Sequence, residues 1–329
     1  MLRFMKSTTK TVLALVAGLL AVVLAVSACS APEEEQSAGG PIQVNTAQGP
    51  VTINGTPKRI VTLGAQWIDT ALAFGVKPVA YLDNIQILTG SPSPWTKDQL
   101  DGSTALDPEN LVAQIAKAEP DLILAEGYMP KSQPENFAKI SKIAPTIPGV
   151  TGQQVDPWQD LVSLMGTLLR EDGKAKEITA GVNKQIADVK QELPGLAGKT
   201  YAMAYMYSTD QIQVMADPND GAAYLFNELG MKIAPKLLAQ YEKTKNPRFP
   251  ISTENVPMLE GDLLAVTANS PALKDALHKL PGYSSLTSVQ NGAVSELSVA
   301  DISGLNQPTP LSIPYLLDEM KPALTKAAN

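Results

Sequence analysis

The sequence has a single cysteine, Cys29, and a single histidine, His278, in 329 residues. With no cysteine after Cys29, intramolecular disulfides and cysteine-ligated metal are excluded. One histidine is too few for a carrier of free zinc or manganese, which generally uses several histidines and carboxylates. No Ser-His-acid arrangement, Cys-His cluster or phosphate-binding glycine loop is present, so an enzyme is not indicated. His278 falls in an expected helix from Lys274 to Leu280 and reads as a surface or packing residue. Positive charge is also scarce: 26 Lys and Arg stand against 33 Asp and Glu, a formal net charge of −7. The first 28 residues hold three basic residues and no acidic one, which makes it −10 from Cys29 onward. That balance argues against nucleic acid and against an electrostatic membrane-surface role. Aromatic residues are 5% of the chain, so the places where they gather carry information about a site.

What is present begins with Arg3, Lys6 and Lys10, an apolar run from Thr11 to Val26, and small residues ahead of Cys29. Basic, apolar and small-residue regions in that order make an export signal over residues 1–28, and the apolar run is short for a membrane span. Val26-Ser27-Ala28-Cys29 resembles a bacterial lipobox, whose cysteine is lipidated and becomes the first mature residue. The remainder is then expected outside the cytoplasm, lipid-anchored at the outer face of the membrane. Residues 29–40, with Glu33-Glu34-Glu35 and Gly39-Gly40, read as the lipidated cysteine and a polar, disordered tether. About 300 mature residues are enough for two domains with proper cores.

From Gln43 the pattern becomes structured. Ile42-Gln43-Val44 and Val51-Thr52-Ile53 flank Gln48-Gly49-Pro50 and predict a β-hairpin. Arg59 to Leu63, Pro78 to Leu82 and Asp121 to Ala125 read as strands, with helices at Ile68 to Phe74 and Leu111 to Ala118 between them. Strands alternating with helices imply a mainly parallel sheet covered on both faces. Near the middle, Ile178, Val182, Ile186, Val189 and Leu193 recur at helical spacing. They predict one uninterrupted helix over residues 172–193, N-capped by Asp172 and stopped by Pro194-Gly195, roughly 31 Å long.

Three short stretches before that helix have echoes after it. Ala71-Leu72-Ala73-Phe74-Gly75-Val76-Lys77 pairs with Phe226-Asn227-Glu228-Leu229-Gly230-Met231-Lys232. Glu109-Asn110-Leu111 pairs with Glu254-Asn255-Val256, and Asp121 to Ala125 with Asp262 to Val266. Glu and Asp are twelve residues apart in the first copy and eight in the second, so the intervening helix is expected to differ by about one turn. The expectation is an α/β protein of two similar lobes, residues 41–171 and 194–329, bridged by one long helix with a cleft between them.

Pro57-Lys58-Arg59-Ile60-Val61-Thr62-Leu63-Gly64, the helix ending in Gly-Val-Lys-Pro, Glu119-Pro120-Asp121-Leu122-Ile123-Leu124 and Ser312-Ile313-Pro314-Tyr315-Leu316-Leu317-Asp318 extend the pattern. Together they resemble the iron-siderophore group of ABC-transporter substrate-binding proteins over nearly all of the mature chain. The resemblance implies a monomeric, non-enzymatic protein without cofactor. It would bind a ferric siderophore between its lobes and deliver it to a membrane permease with its ATPase. Such a chelate already fills iron's coordination sphere, so no direct metal ligand is expected. Haem, ligated by a tyrosine or methionine, and cobalamin are the rival ligands, and a non-transporting cell-envelope scaffold is the rival of another class.

Open α/β lobes place ligands at the carboxyl ends of their strands. The candidates are therefore Gln66, Trp67, Asp83, Tyr128, Met129 and Trp158 in the first lobe, with Asn84 beside them. In the second lobe they are Tyr205, Met206, Tyr207, Arg248 and Asn269, with Asp301 weaker. Arg248 is expected to offer its guanidinium fork to catecholate, hydroxamate or carboxylate oxygens. The resemblance further implies permease docking through one acidic residue on each lobe. Glu254 matches the second-lobe pattern, whereas Ala113 stands where the first-lobe glutamate is usual, and Glu109, one turn earlier, is its candidate substitute.

Overall fold

The computed structural model describes residues 40–329; the export signal, Cys29 and the tether as far as residue 39 lie outside the described residues. The chain opens with an antiparallel hairpin of β1 (Ile42–Thr46) and β2 (Gly49–Ile53), as its alternating apolar residues predict. The first α/β unit follows: β3 (Ile60–Leu63), α1 (Ala65–Ala73), β4 (Ala80–Leu82), α2 (Asn84–Thr89) and β5 (Thr104–Ala105). It continues through α3 (Leu111–Lys117), β6 (Leu122–Ala125), α4 (Met129–Ser132), α5 (Pro134–Ile140) and β7 (Thr146–Pro148). All neighbours in its five-stranded sheet, ordered β5-β4-β3-β6-β7, are parallel.

Burial on both faces explains the unbroken apolar runs. Ile60, Leu122 and Leu124 point into the large core shared with the helices before the second unit. Their alternates Val61, Leu63, Ile123 and Ala125 pack with Leu111, Ile115 and Ile140 on the other face.

The connection is α6 (Trp158–Leu169) and then α7 (Asp172–Glu192), the expected long helix. Its 21 residues make it about 31 Å long, with Val182 and Ile186 buried. Asp172 is its first helical residue rather than its cap; Glu171 holds the cap position without a side-chain bond. Pro194 cannot continue the α-helix, and the chain passes through a 3₁₀ turn, Pro194–Leu196, into the second unit.

That unit contains β8 (Thr200–Met206), β9 (Gln211–Met215), α8 (Tyr224–Glu228), β10 (Lys232–Ile233), α9 (Pro235–Thr244) and β11 (Arg248–Ser252). Then come β12 (Leu263–Ala268), α10 (Pro271–His278), α11 (Thr287–Gln290), β13 (Val294–Glu296), α12 (Val299–Asn306) and α13 (Ser312–Ala328). The sheet is ordered β11-β9-β8-β12-β13 with β10 also on β8; β9 runs antiparallel to both its neighbours.

The sequence echoes are structural repeats. In the first unit Gly75 N–H bonds to Leu72 O and Val76 N–H to Ala71 O; in the second Gly230 bonds to Asn227 O and Met231 to Phe226 O. Each pair closes a helix as a Schellman motif, with the glycine left-handed at φ 71° and 82°. Likewise the Asp121 carboxylate accepts from the N–H groups of Lys58 and Arg59 at the entry to β3. Asp262 accepts from the N–H and hydroxyl of Thr200 at the entry to β8. The third echo diverges: Glu109 sits in a 3₁₀ turn before α3, whereas Glu254 lies in a 3₁₀ stretch, Thr253–Leu259, kinked at Asn255. Pro257, inside that stretch, lacks the N–H an α-helix needs, so the expected one-turn-shorter α-helix does not form.

Replacing Gly75 or Gly230 with Ala meets no steric wall, since the nearest atoms to the new Cβ are no closer than 3.5 Å. The left-handed backbone alone should cost about 1 kcal/mol in each case. Urea unfolding of the two variants is expected to show similar losses, and a cost at only one site would break the equivalence of the repeats.

Candidate functional site

The carboxyl ends of both sheets approach each other where α2, which follows β4, packs on α12, which follows β13. Open α/β sheets bind ligands outside these ends. On the first lobe, α2 is capped by Asp83, whose carboxylate accepts from Ile85 N–H. The helix leaves Ile87 54% and Leu88 62% exposed, and Tyr128 beyond β6 is 45% exposed. Glu126, the first residue past β6, is half-buried and accepts from Asn84 Nδ2 at 3.0 Å. Its carboxylate lies over Gly64 so closely that a Cβ there would stand 2.3 Å from Oε1. Beside it is a small cavity of about 70 Å³ bordered by Leu63, Leu82, Leu111 and Met129.

On the second lobe the ends of β12 and β13 enclose a depression of about 450 Å³ bordered by Ala268, Asn269, Lys274, His278, Glu296 and Ser298. Tyr205 donates its hydroxyl to Asn269 Oδ1, and Tyr207 packs edge-on against Tyr205 with ring centroids 6.2 Å apart. Glu296 joins two side chains, pairing with Lys274 Nζ and with His278 Nε2 at 2.6 Å. Burial raises the Glu296 carboxyl, but the Lys274 and His278 bonds and charges outweigh it and hold the group below its ordinary range.

Tyr128, Tyr205, Tyr207 and Asn269 thus come to the strand ends with exposed surface. Other candidates have structural partners. Trp67 is 1% exposed and donates Nε1 to Ala125 O at 2.9 Å, and Trp158 is 2% exposed at the start of α6. Neither presents a wall to the cleft, because each indole fills core between sheet and helix. Met129 and Asp83 are also buried, as is Met206. Asp301 forms a capping box with Ser298 at the start of α12.

Arg248 departs furthest from expectation. Because β11 runs antiparallel to β9, and β9 antiparallel to β8, β11 is parallel to β8. Ser252 then marks its carboxyl end and Arg248 its amino end, roughly 13 Å away. The guanidinium fork is held by Asp220 through Nε at 2.8 Å and Nη2 at 2.6 Å, and Nη2 also reaches Asn306 Oδ1. Glu254, just past Ser252, and Glu109, past β5, are both exposed at carboxyl-end edges.

Gln66 belongs to a polar seam behind the site. Its amide donates to Asp156 O at 2.9 Å and Pro308 O at 3.2 Å, and accepts from Asp156 N–H. One turn on, Asp69 accepts from Trp95 Nε1 at 2.7 Å and Thr309 Oγ1 at 2.6 Å. The first lobe is thereby bonded to the segment that leads into α13. Residues overlooked in the sequence are Glu126, Ile87, Leu88, Lys274 and Glu296. Only Glu126 carried a positional signal, as the residue directly after a predicted strand.

Residues 94–299 match the periplasmic binding protein family, and the chain belongs to it. It is 28% identical over 258 residues to the probable siderophore-binding lipoprotein YfiY of Bacillus subtilis, covering 74% of this chain and 75% of that protein. It is 26% identical over 303 residues to the Fe(3+)-citrate-binding protein YfmC of the same organism, covering 88% and 90%. Among solved structures, a periplasmic solute binding protein from Mycobacterium smegmatis matches with TM-score 0.72 at 24% identity over 88% of this chain and 99% of that one. Staphylococcus aureus SirA, complexed with staphyloferrin B, matches with TM-score 0.70 at 22% identity over 86% and 98%. The last two establish the shared two-lobed fold.

Burial pushes the Asp69 carboxyl up from 3.8 to about 7, against the Thr309 and Trp95 bonds that favour its charge. Burial does the same to Glu126, from 4.5 to about 7. Between these limits the native state holds protons that the unfolded chain has released, so stability should fall as pH rises from about 4 to about 7 and level off above that. Asp69→Asn keeps an acceptor for both donors and should flatten that fall in thermal melts. An unchanged slope would show that Asp69 is ionised throughout.

Proposed function

We propose that this protein is the substrate-binding lipoprotein of an ABC importer, capturing a ferric siderophore between its lobes and delivering it to the permease. The observation that carries this reading is the placement of Tyr128 at the carboxyl end of one sheet and of Tyr205, Tyr207 and Asn269 at that of the other, both mainly parallel. The relatives named as siderophore-binding and Fe(3+)-citrate-binding supply the ligand class. Cys29 would hold the protein at the outer face of the cytoplasmic membrane. Aromatic rings pack against the apolar faces of a chelate while hydroxyl and amide groups bond its oxygens, and iron needs no ligand from the protein. The lobes, residues 41–171 and 194–329, would close only slightly about α7, because the polar seam through Gln66 and Asp69 already joins them.

Calorimetric titration with ferric hydroxamate, ferric catecholate, ferric citrate, haem and cobalamin tests this. Submicromolar binding, about 8 kcal/mol or more, is expected for one ferric chelate. Tight binding of haem or cobalamin alone would overturn the siderophore assignment. Binding of none would favour a non-transporting envelope protein.

Glu254 and Glu109 would dock the two lobes on the permease and its ATPase complex. Glu254→Ala should leave chelate affinity unchanged and lower uptake by cells at least about tenfold, the scale of losing one interfacial charge pair. Normal uptake would remove Glu254 from the docking surface. The same measurement on Glu109→Ala decides whether it serves where Ala113 cannot.

A further inference from the structure

We propose that the cleft selects ferric chelates by charge, taking uncharged or cationic ones and rejecting polyanions, with Glu126 as the discriminating residue. This rests on the siderophore reading of the site. The first ground is where the guanidinium groups are. Among the described residues Arg59 is bonded to the carbonyls of Ala118 and Glu119, Arg170 to the Gly40 carbonyl, and Arg248 to Asp220 and Asn306. Arg59, in the bend just before β3, and Arg248, the first residue of β11, lie at amino ends, away from the ligand face.

The second ground is the charge that does face the cleft. In the second-lobe depression the ammonium of Lys274 and the imidazole of His278 share one carboxylate, Glu296, so the cluster has little positive charge left for an anion. Lys131, three residues beyond Tyr128, turns its ammonium to the Gly152 carbonyl at 3.4 Å. On the first-lobe side the titratable group beside the strand end is a carboxyl. Glu126 accepts from Asn84, two residues before the exposed Tyr128, and the charge of buried Asp83 acts on it.

The third ground is that the Glu126 position is built. Gly64, at φ 104°, leaves room for that carboxylate, which any Cβ there would have to displace. Asn84 gives it a single donor, and no described ion pair neutralises it. Burial together with the Asp83 charge pushes its carboxyl up to about 7, against the Asn84 bond, so a bound cation would be stabilised by drawing it into the ionised form. A polyanion finds no compensating fork here and can only drive this carboxyl into its neutral form, whereas a cation gains an ionised partner, so the discrimination lies in what the carboxylate adds for the cation. The apolar surface of Ile87 and Leu88 alongside suits a chelate of low charge.

The test is calorimetry on the wild type and Glu126→Gln with three ferric complexes: monocationic ferrioxamine B, uncharged ferrichrome and trianionic ferric enterobactin. At least one of the first two should bind the wild type at least tenfold more tightly than enterobactin. Glu126→Gln, which keeps shape and the Asn84 contact, should narrow that gap at least threefold, weakening ferrioxamine B more than ferrichrome. A matched circular dichroism spectrum and melting temperature would show that the variant is folded. Tightest binding of enterobactin by the wild type, or a gap unmoved in the folded variant, would overturn the charge selection and leave the siderophore reading standing. Failure of every ferric chelate would overturn both.

Discussion

The two lobes depend on a few buried polar bonds along α1. Gln66 and Asp69 are 7% and 1% exposed, and both would destabilise the core if left without partners. Their partners come from Asp156, Pro308 and Thr309, outside the sheet that α1 covers. The bonds therefore fix where the loop before α6 and the segment before α13 must lie. Trp95 is drawn into the same seam, bonded to Asp69 and packed against Tyr315 at 5.6 Å between ring centroids. Its indole also lies where any Cβ at position 304 would be, 2.6 Å from Cη2, so α12 can approach only because that residue is Gly304.

Around this seam the lobes repeat one plan and then differ where chemistry is needed. The Schellman closures at Gly75 and Gly230 match bond for bond, and the strand-entry aspartates 121 and 262 each accept from a backbone N–H at the start of the neighbouring strand. The ligand faces do not match. One has exposed aliphatic residues and an acidic group over a glycine; the other has paired tyrosines and a Lys-Glu-His cluster. A scaffold copied in two lobes thus carries two unlike surfaces, which suits a ligand without twofold symmetry.

Much of the scaffold was legible in the sequence because its signals are local. Continuous apolar runs mark β3 and β6, helical spacing marks α7, and the Gly-containing echoes mark equivalent helix ends. The site was less legible. The antiparallel β9 decides which end of the sheet Arg248 occupies, and its partner Asp220 is 28 residues away. Neither fact follows from spacing. An indole just after a strand, such as Trp67, satisfies a core as well as a cleft, and only the carbonyl of Ala125 decides between them. The Pro257 kink was readable in principle, since proline forbids the α-helix that the echo alone suggested.

The bonds from α1 to residues 308 and 309 bridge 242 and 240 positions of the chain. A nascent first lobe can form its sheet early, yet it must wait for almost the whole polypeptide before Gln66 and Asp69 find these acceptors and donors. Contacts so distant in sequence slow the last stage of folding, because the intervening loop must be closed first. Final consolidation of the first lobe therefore waits for the segment just before α13.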